Sequence, residues 1–281
     1  MSDYDFILDS MCWSYSSLEA FHNCKYGFFL NYIDRVKNSS GAFSEYGSLC
    51  HKLLENYLKG NLLSFELADK FEANYKDKVS DTFPPIRGNE RLYDRYYDAG
   101  YAYFSDTDKI EQLTNNNTIL GIEDKHYFYI DKYKFVGILD VEAKNNNGEF
   151  EIIDHKTKSR LDKKRLTKKH NKEDWLQLTD ERYVPRDLFN QQYLYCIPFK
   201  EQFGEYPTYL NLNMLRIGDW YKIKFNKEDF DKAVQWALDT LHDIYNETEW
   251  AATCKENQFF CDFLCSQANF CKYCSKYIGE K

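Results

Sequence analysis

Between residues 118 and 158 the hydrophobic pattern of this chain changes period. Ahead of that point, apolar positions recur at helical spacing in four stretches, 14–35, 45–59, 65–79 and 89–104. In the first of them Ser16 and Glu19 are spaced as a capping box. From 118 onward the segments 118–130, 133–144 and 149–158 are short and rich in β-branched and aromatic residues, and the last two flank Asn145-Asn146-Asn147-Gly148. A turn signal between two such runs predicts a hairpin, and the strand before it extends the hairpin to a meander. Further on, the pattern predicts a helix over 186–203, strands over 207–217 and 220–225, and a helix from Asn226 to about 249. The order predicts one α/β domain over 1–281, a mixed sheet flanked by helices. Its parts are a mainly helical 1–117, a sheet-and-helix part 118–250 and a cysteine-rich tail 251–281.

Composition narrows the function. The chain carries 45 acidic and 37 basic side chains, a net charge of −8, which argues against a general coat protein for nucleic acid. Five prolines, 12 glycines and 43% hydrophobic residues exclude a disordered or collagen-like chain. The opening MSDYDFILDSM has no apolar leader and no run of about 18 apolar residues occurs, which predicts a soluble cytoplasmic protein with no membrane partner. In that compartment nine cysteines are not a disulfide framework. Four of them, Cys261, Cys265, Cys271 and Cys274, crowd into the last 21 residues, a density that points to metal.

The meander holds the residues with chemistry. Asp154 and Lys156 end its third strand, and a period of two puts both on one face. The same D/E-x-K spacing occurs at 123–125, 142–144 and 162–164, so the tripeptide alone decides nothing. Asp140, at the end of Gly137-Ile138-Leu139-Asp140, supplies the context. A two-residue loop of Asn147 and Gly148 would pair Asp140 with His155, on the wrong face. A three-residue loop of Asn146, Asn147 and left-handed Gly148 sets Asp140 opposite Asp154, and this is the expected geometry. Carboxylates at that distance repel each other until a divalent cation binds, so the pair calls for magnesium or manganese. His51, within a helical pattern, and Glu123, on the preceding strand, would complete a set of hard oxygen ligands plus one imidazole. Lys156 would then orient the attacking water and stabilise charge developing on a phosphate. Each residue also has a plainer reading: an exposed ion pair for Asp154 and Lys156, a helix histidine, and a Glu123 solvated beside Lys125.

Taken in order, Gly137-Ile138-Leu139-Asp140, Ile152-Ile153-Asp154-His155-Lys156-Thr157 and Gln191-Gln192-Tyr193-Leu194-Tyr195 resemble the successive motifs of RecB-type nucleases in the PD-(D/E)XK superfamily. The resemblance runs from about Ser14 to the C-terminus. It implies a restriction-endonuclease-like core with Asp140, Asp154, His51 and Glu123 as metal ligands, and Lys156 as catalytic lysine. The backbone carbonyl of His155, where the family commonly has tyrosine, would join the ligands. Gln191 and Tyr195 match the substrate-side Q-x-x-x-Y motif, although residues one helical turn apart also form plain structural hydrogen bonds.

Cys24 with the C-terminal cysteines is similar to the iron–sulfur branch of these nucleases, which includes AddB nuclease domains and CRISPR-associated exonucleases. There one N-terminal and three C-terminal cysteines hold a [4Fe–4S] cluster. Five candidates, Cys24, Cys261, Cys265, Cys271 and Cys274, compete here for four places, because the spacing departs from the usual C-x2-C-x5-C. A zinc site made by the tail alone is the alternative. Cys12, Cys50, Cys196 and Cys254 read as core or surface thiols.

Residues 156–172 hold nine basic side chains and one acid, Asp162, a local +8 against −16 elsewhere. Such a patch could guide a DNA backbone over the metal site, or be a solvated loop. Tyr93, Tyr96, Tyr97 and Tyr101 could stack on bases, though their helical spacing favours core packing. The sequence thus predicts a metal-dependent DNA nuclease, an exonuclease on single-stranded or end-processed DNA in recombination, repair or phage DNA metabolism. The chain has no Walker A motif, so any strand opening is done elsewhere, with a helicase or recombination partner as the candidate, or not at all. The competing expectation is a DNA-end-binding or complex-forming subunit with little cleavage.

Overall fold

The computed structural model describes residues 4–278 apart from 38, 87, 89, 90 and 180. Before the sheet the elements are helical: Asp5–Asp9 (α1), Tyr15–Asn23 (α2), Lys25–Phe28 (α3), Ala42–Leu58 (α4), Leu67–Lys78 (α5), Leu92–Ser105 (α6) and Thr107–Asn115 (α7). The predicted start of α6 at 89 lies outside the described residues. Then come Asn117–Ile130 (β1), Tyr133–Asn145 (β2), Phe150–Lys156 (β3), Trp175–Thr179 (β4), Arg182–Pro185 (β5), Asn190–Phe203 (α8), Tyr209–Met214 (β6), Asp219–Lys224 (β7), Lys227–Asn246 (α9) and Gln258–Phe263 (α10). The main sheet has the order β1-β2-β3-β6-β7, and β4-β5 is a separate hairpin. Only β3 and β6 run parallel in the main sheet, so it is mixed, as the sequence predicts.

Local chemistry explains where the prediction slips. Helix α2 starts at Ser14, not at a Ser16–Glu19 box: Ser17 N–H donates to Ser14 Oγ (3.1 Å) and Ser14 N–H to Ser17 Oγ (3.0 Å). One residue upstream, Trp13 N–H donates to the Lys134 carbonyl (2.8 Å), and the Trp13 carbonyl accepts from Val136 N–H (2.7 Å). The chain therefore leaves strand geometry at once, and Ser14 takes the cap. Extended Cys24 then separates α2 from α3 and breaks the single helix expected over 14–35. The sequence reading also missed α7, a polar helix capped by Asp106, and the β4-β5 hairpin.

Strand β3 lies in the middle of the sheet, and its apolar Ile152 and Ile153 are buried on opposite faces. One face packs Phe128, Phe135, Leu139 and Ile152 with residues of α8 and α9; the other packs Val141, Ala143 and Ile153 with α4 to α7. Leu139 and Val141 are two residues apart yet enter different cores. The strand alternation therefore breaks at Asp140. Across from it Glu123 takes the left-handed φ of +54°, an uncommon conformation for a side chain of this kind. A strained residue at this one place is a structural marker for a site.

The β2-β3 turn is the three-residue loop predicted. Gly148 has φ +80°, its N–H donates to the Asn145 carbonyl (2.8 Å), and Asn145 N–H donates to the Glu149 carbonyl (2.9 Å). The register that follows runs from Lys144–Phe150 to Val141–Ile153, where the ladder ends with Asp140 and Asp154 as the next residue of each strand. Among the described residues no helix is long and apolar enough to cross a membrane.

Candidate metal centre and active site

The fold brings the predicted residues to the kink where β1, β2 and β3 meet helix α4. Asp140 and Asp154 are 9% and 4% exposed, so neither carboxylate can be solvated in the ordinary way. Asp140 Oδ2 accepts from the His155 backbone N–H (2.7 Å). His51, from α4, reaches down onto the strands, with Nε2 2.9 Å from the His155 carbonyl and Nδ1 3.5 Å from Asp140 Oδ2 and 3.7 Å from Glu123 Oε1. His51, Glu123 and Asp140 offer one ligand atom each within 4.8 Å of one another.

The electrostatics follow from burial and like charge. Burial pushes the Asp140 carboxyl up, the facing Asp154 adds to the shift, and His51 opposes it. Burial alone would lower His51, but Asp140, Glu123 and Asp154 outweigh it and hold the imidazole well above its ordinary range. A divalent cation supplies the positive charge that these oxygens otherwise take from protons. The donor set of carboxylates, one carbonyl and one imidazole fits such an ion.

Lys156 stands on the other side of Asp154. Its Nζ is 2.8 Å from Asp154 Oδ2 and donates to Gln191 Oε1 at 2.6 Å. Burial works against its charge, yet Asp154 and Asp140 raise its proton affinity, so Lys156 is a cation and not a base. Gln191 Nε2 in turn donates to Tyr195 Oη (3.0 Å), one turn along α8. The Q-x-x-x-Y pair thus forms the hydrogen bond of its plain reading and contacts Lys156 as well. His155 is buried, and burial lowers its pKa; its Nδ1 accepts from Asn213 Nδ2 (3.2 Å), which also donates to Tyr103 Oη (2.7 Å). The middle residue of Asp-His-Lys is therefore a neutral core side chain that fixes its own carbonyl beneath His51.

Sequence reasoning missed Gly137. A Cβ there would lie 2.5 Å from Tyr195 Cε1, so the glycine is what lets Tyr195 lie against β2. Gly137→Ala is expected to cost about 1–3 kcal/mol by overpacking a buried ring. Urea unfolding measures this directly, and an unchanged midpoint would show that the ring yields freely.

The predicted cysteines converge as well. Cys24, Cys261, Cys271 and Cys274 are buried and Cys265 is partly so. A Cβ on Gly27 would touch both Cys24 Sγ (3.6 Å) and Cys265 Sγ (3.9 Å), which puts the N-terminal thiol among the C-terminal ones. Cys254, read as a lone thiol, belongs to the same group, with Sγ 2.8 Å from Cys261 Sγ. Only its position seven residues before Cys261 hinted at this. Cys50 and Cys196 are buried core thiols and Cys12 is exposed, as read.

The basic stretch is anchored where its single acid lies. Asp162 binds Arg160 (3.0 Å), Arg182 (3.1 Å) and the Tyr221 hydroxyl (2.7 Å), while Lys163 pairs with Tyr183 of β5. Lys158, Lys164, Arg165, Lys168, Lys169 and Lys172 remain exposed. Tyr96 is buried against α4 and α5 and Tyr93 and Tyr97 pack beside it, so these three are core, whereas Tyr101 is 38% exposed with its ring stacked on Tyr97.

No curated protein matches the chain. The description "PD-(D/E)XK nuclease superfamily" is that of the family whose pattern matches residues 12–275, a span holding every residue of the centre described above. With its mixed helix-flanked sheet and buried carboxylates beside a lysine, the chain belongs to the PD-(D/E)XK nuclease superfamily, whose members are metal-dependent nucleases that act on DNA.

Proposed function

We propose that the chain is a magnesium- or manganese-dependent exonuclease of the RecB-type iron–sulfur branch, acting on single-stranded or end-processed DNA. The observation that carries this reading is that Asp140, Asp154, His51 and Lys156 meet at one kink of the sheet. Asp140, Asp154, Glu123, His51 and the His155 carbonyl hold the cation. When bound, it polarises a phosphate oxygen and lowers the pKa of a water. Lys156, kept charged by its carboxylates, orients the incoming water and opposes the charge building on the phosphate. Gln191 and Tyr195 position the strand beside Lys156, and the exposed lysines of 158–172 grip its backbone.

End-labelled single-stranded and duplex DNA, incubated with Mg²⁺, Mn²⁺ or EDTA, tests this. Cation-dependent release of short products from one end is expected, which identifies polarity too. An internal ladder would replace exonuclease by endonuclease. DNA bound but uncut with either cation would favour the complex-forming reading, in which a helicase or recombination partner supplies the activity.

For the cluster, the sulfurs themselves distinguish the candidates. Cys24 Sγ accepts from Gly27 N–H (3.3 Å), and Cys265, Cys271 and Cys274 accept from the backbone N–H groups of Gln267, Tyr273 and Lys276. Backbone N–H groups aimed at sulfur stabilise thiolates, the form that binds metal. Cys261 Sγ instead donates to Cys254 Sγ (2.8 Å), and burial pushes its thiol up as it does those of Cys265, Cys271 and Cys274, so the backbone donors are what separates the candidates. This supports Cys24, Cys265, Cys271 and Cys274 as the four ligands, and the inclusion of Cys24 speaks for iron and sulfur over a tail-only zinc site. Absorbance near 400 nm is expected to survive Cys254→Ser and to vanish in Cys265→Ser. The opposite result would move the ligand set.

A further inference from the structure

Strands β1 and β2 run beyond the kink as a hairpin whose one face is buried and whose other face is open. The buried face holds Phe128, Ile130 and Phe135. The open face carries Tyr127, Tyr129 and Ile138, which are 55%, 59% and 47% exposed. The register brings them together: Lys125 is opposite Ile138, Tyr127 opposite Val136, and Tyr129 opposite Lys134. Lys125 Nζ and Lys134 Nζ stand over the Tyr127 ring, 5.2 Å and 4.8 Å from its centre, on exposed stems that a stacking base would displace toward its phosphates.

Large rings on the outermost strand of a sheet invite unwanted pairing, so their exposure needs a use. Two aromatic faces set among cationic side chains fit one class of ligand, a strand with unpaired bases and a charged backbone. Tyr127 and Tyr129 are alternate residues on one face, about 6.6 Å apart along the strand. Bases stacked in a duplex are about 3.4 Å apart. The spacing therefore suits a stretched single strand with one base on each ring. Along the same strand Tyr127 stands four residues from Glu123, about 13 Å. A strand lying on the rings would thus reach the metal centre within a few nucleotides.

We propose that the open face of the β1-β2 hairpin is a stacking platform for single-stranded DNA, built by Tyr127 and Tyr129 with Lys125 and Lys134, which delivers unpaired bases to the centre. This rests on the nuclease reading for what happens to the strand, but the binding itself does not require cleavage. The experiment is fluorescence anisotropy in EDTA at fixed salt, using a labelled oligothymidylate and a labelled blunt duplex, with wild type, Tyr127→Ala/Tyr129→Ala and Tyr127→Phe/Tyr129→Phe. Stacking is lost with the rings, so the alanine pair is expected to weaken oligothymidylate binding about 30-fold. Duplex binding and the thermal unfolding midpoint stay as in wild type, and the phenylalanine pair keeps most of the affinity. Equal weakening on both DNAs, no weakening on either, or no binding of the oligothymidylate by wild type would each overturn the platform. Loss of cation-dependent cleavage in wild type, with selective oligothymidylate binding intact, would instead sink the nuclease reading and leave the platform standing.

Discussion

Lys156→Ala is expected to slow DNA cleavage about 10²–10³-fold while the chain still binds a divalent cation. The lysine ammonium is held between Asp154 and Gln191, whereas His51 contacts Asp140 and Glu123. On the nuclease reading it would supply charge where a phosphate gains it, without being a ligand of the cation. Removing it leaves Asp154 buried and unpaired, a change that costs about 3–5 kcal/mol in the absence of metal. If Asp154 is a ligand as proposed, bound Mn²⁺ would offset that cost by facing the same carboxylate. Two readouts follow: single-turnover cleavage of end-labelled DNA, and thermal unfolding with and without Mn²⁺. The variant's loss of stability should be clear in EDTA and shrink when Mn²⁺ is added. Cleavage at the wild-type rate would remove Lys156 from the chemistry. A variant that Mn²⁺ no longer stabilises would make the lysine a builder of the site.

Cys24→Ser carries the second large effect, this time on stability. The thiol lies near Cys265 of the tail, and the proposed cluster would join the two, closing a loop of roughly 240 residues. A cross-link of that span restricts the unfolded chain by about 5 kcal/mol in the chain-entropy account. For a chain of this size each kcal/mol is worth about 2–4 °C, so a fall of about 10–20 °C in the unfolding midpoint is expected, together with loss of absorbance near 400 nm. Other contacts also hold the tail: Leu30, Ala268, Tyr26, Val36 and Phe260 pack with the cysteines, the Tyr26 and Tyr273 rings meet at 5.1 Å, and Ser39 N–H donates to the Ser266 carbonyl (3.0 Å), so the predicted fall measures what the cluster adds to them. An unchanged midpoint in a preparation whose wild type is coloured would show that the cluster does not staple the ends.

The centre was legible because its geometry is short-range. Loop length fixed by Gly148 sets the register, and the register brings Asp140 and Asp154 together just past its last pair, Val141 with Ile153. His51 needed the resemblance, since nothing in the spacing says that α4 will lie over β3. What escaped depends on distant partners. The left-handed Glu123 and the break at Asp140 arise where three strands and a helix compete for one point, and Gly137 matters only because Tyr195 comes to rest on it. Cys254 is brought to Cys261 by a single turn at Thr253–Lys255, which leaves no spacing motif. The β4-β5 hairpin is short and half polar, so its strands have no strong period of two. The basic loop was visible as charge, but its fastening through Asp162 to Arg182 and Tyr221 was not.

The contact between Cys24 and the tail also sets an order in time. A ribosome adds about 5–20 residues each second, so the helices bearing Cys24 emerge roughly 12–50 s before residue 265 does. During that interval α2 and α3 lack both α9, on which α2 packs, and the tail residues around Cys265. The sheet and its acidic kink can form meanwhile, because β1, β2 and β3 are contiguous in the chain. The first helices to be synthesised are thus among the last to be fastened, and the newborn chain carries an exposed thiol until its own tail arrives.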